Sequence, residues 1–197
     1  MRHEHIGILD GPILAFGGPY SNVQATKALF AKVKKRGTAR ENVICTGDVI
    51  AYCGAPLATV EMVRASGCVG VAGNCEIQLA AGAMECGCGF EDGTACDLLS
   101  AGWFAYASKH VLNFDCEWMD QCTDIIIFVH CGARYAVIHG GFTDVARFTG
   151  PPLMTQCLMR NGLLLRPRLV PPITSYQATA ESRLYAKQQM GVGSTLA

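Results

Sequence analysis

Three residues able to ligate a cation stand where apolar runs end: Asp48 in Thr46-Gly47-Asp48, Asn74 in Gly73-Asn74-Cys75-Glu76, and His139 in His139-Gly140-Gly141. An Asp carboxylate and an Asn amide oxygen are hard, oxygen-donor ligands for a divalent cation. Gly-Asp and Gly-Asn are also ordinary turn pairs, and His139 before two glycines reads by itself as a tight structural turn. Placement distinguishes the first two. They lie 26 residues apart, each just past a strand-type run of one strand–helix–strand unit. Open α/β sheets hold ligands at the carboxyl ends of their strands.

The elements that must position these residues follow from the pattern. Val43–Thr46 is a short strand-type run. Pro56 opens a helix with Leu57, Val60 and Val63 on one face, and Gly67 closes it. Cys68–Ala72 is the second strand. Upstream, Ile6–Phe16 holds two apolar runs split by Asp10-Gly11-Pro12, which predicts a hairpin or a turn into a first core strand, Ile13–Phe16. Asn22 is a helix N-cap for Val23–Arg36, whose apolar face is Ala25, Ala28, Leu29 and Val33. The basic cluster in its last turn complements the helix dipole. The order βαβαβ implies parallel strands joined by right-handed crossovers.

Downstream, residues 77–97 show no clear period and read as an inserted loop. A helix follows from about Thr94 or Cys96, with Leu98, Leu99, Trp103 and Tyr106 as its apolar side, and residues 114–122 form another helical piece. Asp124–Val129 and Arg134–Ile138 flank Cys131-Gly132-Ala133 as a hairpin. Beyond Thr149, prolines interrupt strand candidates at Leu163–Leu165 and Leu169–Val170, and a helix is expected over Ala178–Met190. Residues 1–150 form the expected α/β domain. Residues 151–197 form a Pro-rich segment and tail packed on it.

Composition narrows the function classes. Half of the 197 residues are apolar and 16% are charged, as in a soluble globular chain with one core. Lys plus Arg equals Asp plus Glu at 16 each, which gives no reason to expect nucleic acid or an anionic membrane as partner. No apolar run approaches a membrane span, and Met1–Gly11 lacks the apolar core of a signal peptide, so a cytoplasmic location is expected. The loop at Gly17–Ser21 does not supply the G-x-G-x-x-G of a dinucleotide site. The eleven cysteines, odd in number, argue against a disulfide framework. Cys45, Cys68 and Cys131 read as small hydrophobes. Cys75, Cys86, Cys88 and Cys96 admit three readings: a thiolate metal site, a redox pair at Cys86-Gly87-Cys88, or a buried small-residue loop walling the site.

Strand ends carrying Gly-Asp, then Gly-Asn, then His-Gly-Gly resemble those of the calcineurin-like metallophosphoesterases, over Ile13 to Phe148. The chain looks closest to their small bacterial branch of diadenosine-tetraphosphatase-like and YfcE-like enzymes. The resemblance implies a two-sheet β-sandwich flanked by helices. It also implies divalent metal (Mn, Fe, Zn or Ni) at the strand ends and hydrolysis of a small phosphate mono- or diester by metal-activated water. Asp48 then matches the metal-bridging Asp, and Asn74 and His139 match ligands of the second metal.

The departures from that pattern are specific. The family's D-x-H-G-N motif falls on Gly18-Pro19-Tyr20-Ser21-Asn22, without its two ligands. Tyr20 could replace an anionic ligand or donate a hydrogen bond to phosphate. Cys75 stands where the family has a His that assists the leaving group, and could be a soft metal ligand. The closing G-H-x-H motif has no counterpart, since no histidine follows His139. The C-terminal part of the second sheet would then be incomplete, its edge covered by the tail or by a second copy. The expected metal set is Asp48, Asn74, His139 and Cys75, and the catalytic set is Asp48, Asn74, Cys75 and Tyr20. The rivals are a binding or regulatory protein that kept the fold without hydrolysis, and a cysteine-based zinc or redox module.

Overall fold

The structure is a computed structural model and describes residues 1–141. The expectations for residues 151–197, the boundary at 150 and the incomplete second sheet lie outside the described residues. The elements are β1 (His3–Ile8), β2 (Leu14–Phe16), α1 (Val23–Arg36), β3 (Val43–Cys45), α2 (Pro56–Ser66), β4 (Val69–Gly70), α3 (Asn74–Ala80), α4 (Ala95–His110), α5 (Asn113–Gln121), β5 (Ile125–His130) and β6 (Ala133–Ile138).

They form two three-stranded sheets. In one, β2, β3 and β4 run parallel in that order, with Phe16 opposite Cys45 and Cys45 opposite Gly70. In the other, β1 lies parallel to the central β5, and β5 pairs antiparallel with β6. Val71 and Thr123 bridge the two, with Ala72 N–H donating to the Thr123 carbonyl at 2.8 Å. The strand period of two serves two cores. Ile44 points into the inter-sheet cluster with Leu9, Val71, Ile126, Phe128 and Val137. Its neighbour Cys45 points to the helical side, with Ile50, Val60, Val63, Phe104 and Met119. Buried on both faces, β3 is the strand on which the first site residue is mounted.

The parallel βαβαβ order is present as expected. Asn22 Oδ1 accepts from Ala25 N–H at 3.0 Å, and Gly37 (φ 63°) and Gly67 (φ 66°) end α1 and α2 in the left-handed conformation that glycine adopts without a Cβ penalty. The β5–β6 hairpin turns on Cys131 (φ 48°) and Gly132 (φ 75°), the two positive φ values of a turn that matches strand twist.

Four expectations need correction. Of the two readings of the N-terminal runs, the turn into a core strand holds and the hairpin does not: β1 joins β5 and β2 joins β3, so the Asp10–Pro12 turn carries the chain between sheets. Asn42 Nδ2 fastens that turn by donating to the carbonyls of Asp10 and Pro12 at 2.6 and 3.2 Å. On α1, Ala25 and Ala28 are exposed, whereas Thr26 is buried with its hydroxyl donating to the Asn22 carbonyl at 2.8 Å. A threonine satisfied by its own helix backbone can take a core position that polarity alone would deny it. The first residues of the expected 77–97 loop belong to α3 (Asn74–Ala80), a helix too short for a hydrophobic period to register. On α4, Leu98 and Leu99 are 67% and 70% exposed, and the buried side is Ser100, Phe104 and Ala107, where small residues allow close packing. Among the described residues no helix is long and apolar enough to cross a membrane.

Candidate functional site

Gly47 (φ 93°) and Asp48 (φ 54°) turn the chain sharply after β3. Gly73 turns it after β4, so that Asn74 opens α3, and His139 is the first residue past β6. These three strand ends converge. His139 Nε2 lies 3.4 Å from Asp48 Oδ1 and 3.2 Å from Asn74 Oδ1.

Hydrogen bonds fix what each residue presents. His139 Nδ1 lies 2.7 Å from the Thr46 carbonyl oxygen, which can only accept, so Nδ1 donates there, and Nε2 is the nitrogen turned to Asn74 and Asp48, able to donate a proton to them or a lone pair to a cation. Asn74 Nδ2 donates to the Cys86 carbonyl at 2.9 Å, leaving Oδ1 as the atom turned to His139. Asp48 is buried, and its Oδ1 has no hydrogen-bond partner. Three polar atoms thus face one another, which is unfavourable unless a proton or a cation stands between them. Atoms bound at about 2.1 Å to one cation stand about 3–3.4 Å apart, so the set fits a small divalent cation. Among the described residues no group of three His, Cys, Asp or Glu side chains is arranged to hold a metal; the third donor of this set is an amide.

Sequence reasoning missed Glu76. Its Oε2 accepts from Asp48 N–H at 2.8 Å and Gly73 N–H at 2.9 Å, and its Oε1 accepts from Ile50 N–H at 3.1 Å. One buried carboxylate therefore ties the Asp48 turn to the Asn74 turn. Burial, then the Asp48 carboxylate, push Glu76 up to about 7. Burial likewise raises Asp48, with His139 opposing. The available signal was a Glu three residues after Gly73, where a helix-start residue reaches back to the preceding N–H.

The glycines have steric reasons to be there. A Cβ on Gly73 would sit 2.5 Å from Asp48 N and 2.7 Å from Glu76 Oε2, and would strike Asp48 Oδ1. A Cβ on Gly47 would sit 2.8 Å from His139 Nδ1.

Tyr20 and Cys75 both lie near Asp48. The Gly18–Ser21 loop rides on the Asp48 turn through Tyr20 N–H to the Asp48 carbonyl (3.1 Å) and Ser21 N–H to the Val49 carbonyl (2.8 Å). Tyr20 and Ser21 both hold positive φ, at 52° and 55°, a costly conformation that clusters at functional sites. The Tyr20 ring folds over Gly18 and fills the space a side chain there would need. It tilts against Tyr52 at 5.0 Å, and Tyr52 meets Trp103 edge-on at 5.2 Å, forming an aromatic wall beside Asp48. No hydrogen bond joins the Tyr20 hydroxyl to Asp48, Asn74 or His139. Cys75 is buried against the Asp48 carboxylate, with its sulfur 3.5 Å from Asn74 Nδ2. Burial and the neighbouring Asp48 raise both the Tyr20 phenol and the Cys75 thiol well above their usual ranges, so both keep their protons.

The four loop-region cysteines do not form a thiolate cluster. Cys86 and Cys88 are joined as a disulfide, a pairing that of the three readings only the redox pair includes, and Cys96 is exposed at the start of α4. Sequence spacing cannot show that a Cys-Gly-Cys segment closes on itself.

No protein-family model matches the sequence, and no curated protein matches it. Solved structures do. One, provisionally assigned as a diadenosine tetraphosphatase, has a TM-score of 0.50 at 14% identity, over 71% of this chain and 55% of its own. A metallophosphoesterase from Sphaerobacter thermophilus has a TM-score of 0.50 at 16% identity, over 70% and 50%. A hypothetical protein from Pyrococcus horikoshii has a TM-score of 0.54 at 11% identity, over 76% and 64%. The chain spans about half the length of the first two. The fold is thus the metallophosphoesterase fold, a mixed α/β arrangement of two small sheets with helices.

Proposed function

We propose that this chain hydrolyses a small phosphate mono- or diester with a divalent cation (Mn, Fe, Zn or Ni) held by Asp48, Asn74 and His139, as in the diadenosine-tetraphosphatase-like branch, and that it works in the cytoplasm. The observation that supports the reading is the convergence of Asp48 Oδ1, Asn74 Oδ1 and His139 Nε2, with the other polar atoms of Asn74 and His139 already committed to backbone carbonyls. A bound cation supplies Lewis-acid polarisation of a phosphoryl oxygen and a more acidic water.

The chain's own groups have separable tasks. Glu76 holds the Asp48 and Gly73 backbones in register, so the carboxylate and amide oxygen stay aimed at one point. The Tyr20 phenol, protonated and half-buried beside Asp48, is a hydrogen-bond donor for a phosphoryl oxygen. Cys75 holds a neutral thiol where the resembling enzymes hold a histidine. It therefore excludes water and contacts Asp48 rather than protonating a leaving group.

A second reading is favoured by the Tyr20 ring over Gly18, which occupies the place of the first motif's two ligands: a phosphate-ester binding protein without turnover. The experiment is elemental analysis of protein purified without chelator, wild type beside Asp48→Asn, followed by assays on p-nitrophenyl phosphate and its diester with the metal found. About one equivalent, lost in Asp48→Asn, with turnover is the expected result. Bound metal and bound ester without turnover would select the second reading. No metal bound or taken up would overturn the first.

A further inference from the structure

We infer that Cys86 and Cys88 are a reversible dithiol–disulfide site that governs the aim of Asn74, and through it cation binding at the site proposed above; the second part rests on that reading. The Asn74 amide nitrogen is held from the cysteine side. Its Nδ2 donates to the Cys86 carbonyl at 2.9 Å and lies 3.5 Å from both the Cys88 and the Cys75 sulfurs. These contacts turn Oδ1 to His139, 3.2 Å away. The group that orients a candidate ligand is therefore the disulfide loop, and an outer partner of this kind tunes metal affinity by roughly 10–100-fold.

Side-chain packing is the loop's other hold: Cys86 belongs to the helical-side core and Cys88 packs against it. Among the described residues, no backbone–backbone hydrogen bond ties residues 84–90 to the fold. Gly87 (φ 66°) presses on the Gln78 side chain of α3, where a Cβ would sit 2.9 Å from Nε2. The disulfide is the local covalent restraint that keeps the Cys86 carbonyl and the Cys88 sulfur over Asn74. Cys86 is 4% exposed while Cys88 is half-buried, so Cys88 Sγ is the sulfur an incoming reagent reaches.

The step balances with a dithiol reductant. A reductant thiolate attacks Cys88 Sγ, the Sγ–Sγ bond breaks, and Cys86 leaves as a thiolate that takes up a proton. The second reductant thiol then closes on the first sulfur and releases Cys88 as a thiol. Two electrons pass from the dithiol, which ends as a cyclic disulfide, to the protein. In the reverse direction a disulfide oxidant restores the bond. A disulfide of this kind in a reducing compartment is a sensor rather than a staple.

The test uses the full chain in three forms: oxidised, reduced by a dithiol that is then removed, and Cys86→Ser/Cys88→Ser. Alkylation with peptide mapping reads the pair, the Asn74 side-chain amide signals in a ¹⁵N–¹H spectrum read its aim, and Mn²⁺ titration reads affinity. The expected result is that the amide signals move on reduction, Mn²⁺ affinity falls about tenfold, and the double-serine variant matches the reduced form under both conditions. Amide signals that move while no form binds any cation would leave the switch standing and sink the metal reading. Amide signals identical in oxidised and reduced protein would overturn the inference. So would a pair that alkylates fully even after treatment with a disulfide oxidant.

Discussion

His139 Nδ1 stands 2.7 Å from the Thr46 carbonyl oxygen, and that single bond decides which nitrogen meets Asp48 and Asn74. The two roles of the ring separate by substitution. His139→Asn keeps a donor near the Nδ1 position and removes the Nε2 lone pair. Metal affinity should fall by about 100-fold or more, while the melting temperature changes by only a few degrees. A loss of fold in place of a loss of affinity, seen by circular dichroism beside calorimetric titration, would show the ring to be structural.

Two glycine substitutions should behave differently. In Gly73→Ala the new methyl meets Asp48 and Glu76 backbone and carboxylate atoms that cannot withdraw, so about 2–4 kcal/mol of stability and the metal site should go together. In Gly67→Ala the cost is the left-handed φ of 66° alone, about 1 kcal/mol, with metal binding unchanged. Denaturant melts with metal titration check both.

The Glu76 carboxyl predicts a pH dependence in the metal-free protein. It ordinarily titrates near 4.5 and here at about 7. Between those values the folded chain binds more protons than the unfolded one, so this group's stability is fully present below 4.5 and is lost as pH rises through about 7. The melting temperature of chelator-treated protein should fall by a few degrees across that window, and Glu76→Gln should flatten the curve. Melting temperatures that rise with pH there, in wild type and variant alike, would remove Glu76 as the cause.

Gly18 and Tyr20 limit the site to one cation if the resemblance to D-x-H-G-N sites holds. Gly18→Asp with Tyr20→His vacates the ring and adds two donors, so uptake should rise from about one to about two equivalents by elemental analysis. Uptake unchanged at one equivalent would mean that the loop, not the ring, sets the stoichiometry.

Away from the site, Arg64 Nη1 reaches the buried Asp115 carboxylate at 2.7 Å, and Asp115 also accepts from Leu112 N–H at 3.2 Å. Arg64→Met leaves a buried charge without its cation. A cost of about 2–3 kcal/mol is expected, reduced from the fully buried case because Arg64 is partly exposed. Urea melts measure it.

Local chemistry made much of this legible in advance. Asn22 before a helical run, Pro56 and Gly67 around another, and Cys131-Gly132 between two apolar runs specify caps and turns through groups only a few residues apart. The three ligand-type residues at strand ends were legible for the same reason, since each turn is written in its own glycine. Other features depend on partners far along the chain. Nothing near Ile6 says that its strand pairs with Ile125–His130 rather than with Leu14–Phe16. Nothing near Glu76 says that its oxygens accept from Asp48 and Ile50. The amphipathic stripe of α4 misled because exposed Leu98 and Leu99 and buried Ser100 reverse the usual polarity order, and only packing against other elements settles which face is inside. The sequence by itself determined the caps, the turns and which polar residues stand at the strand ends. The tertiary structure decided which of their atoms face each other, because that depends on hydrogen bonds between residues up to 93 positions apart.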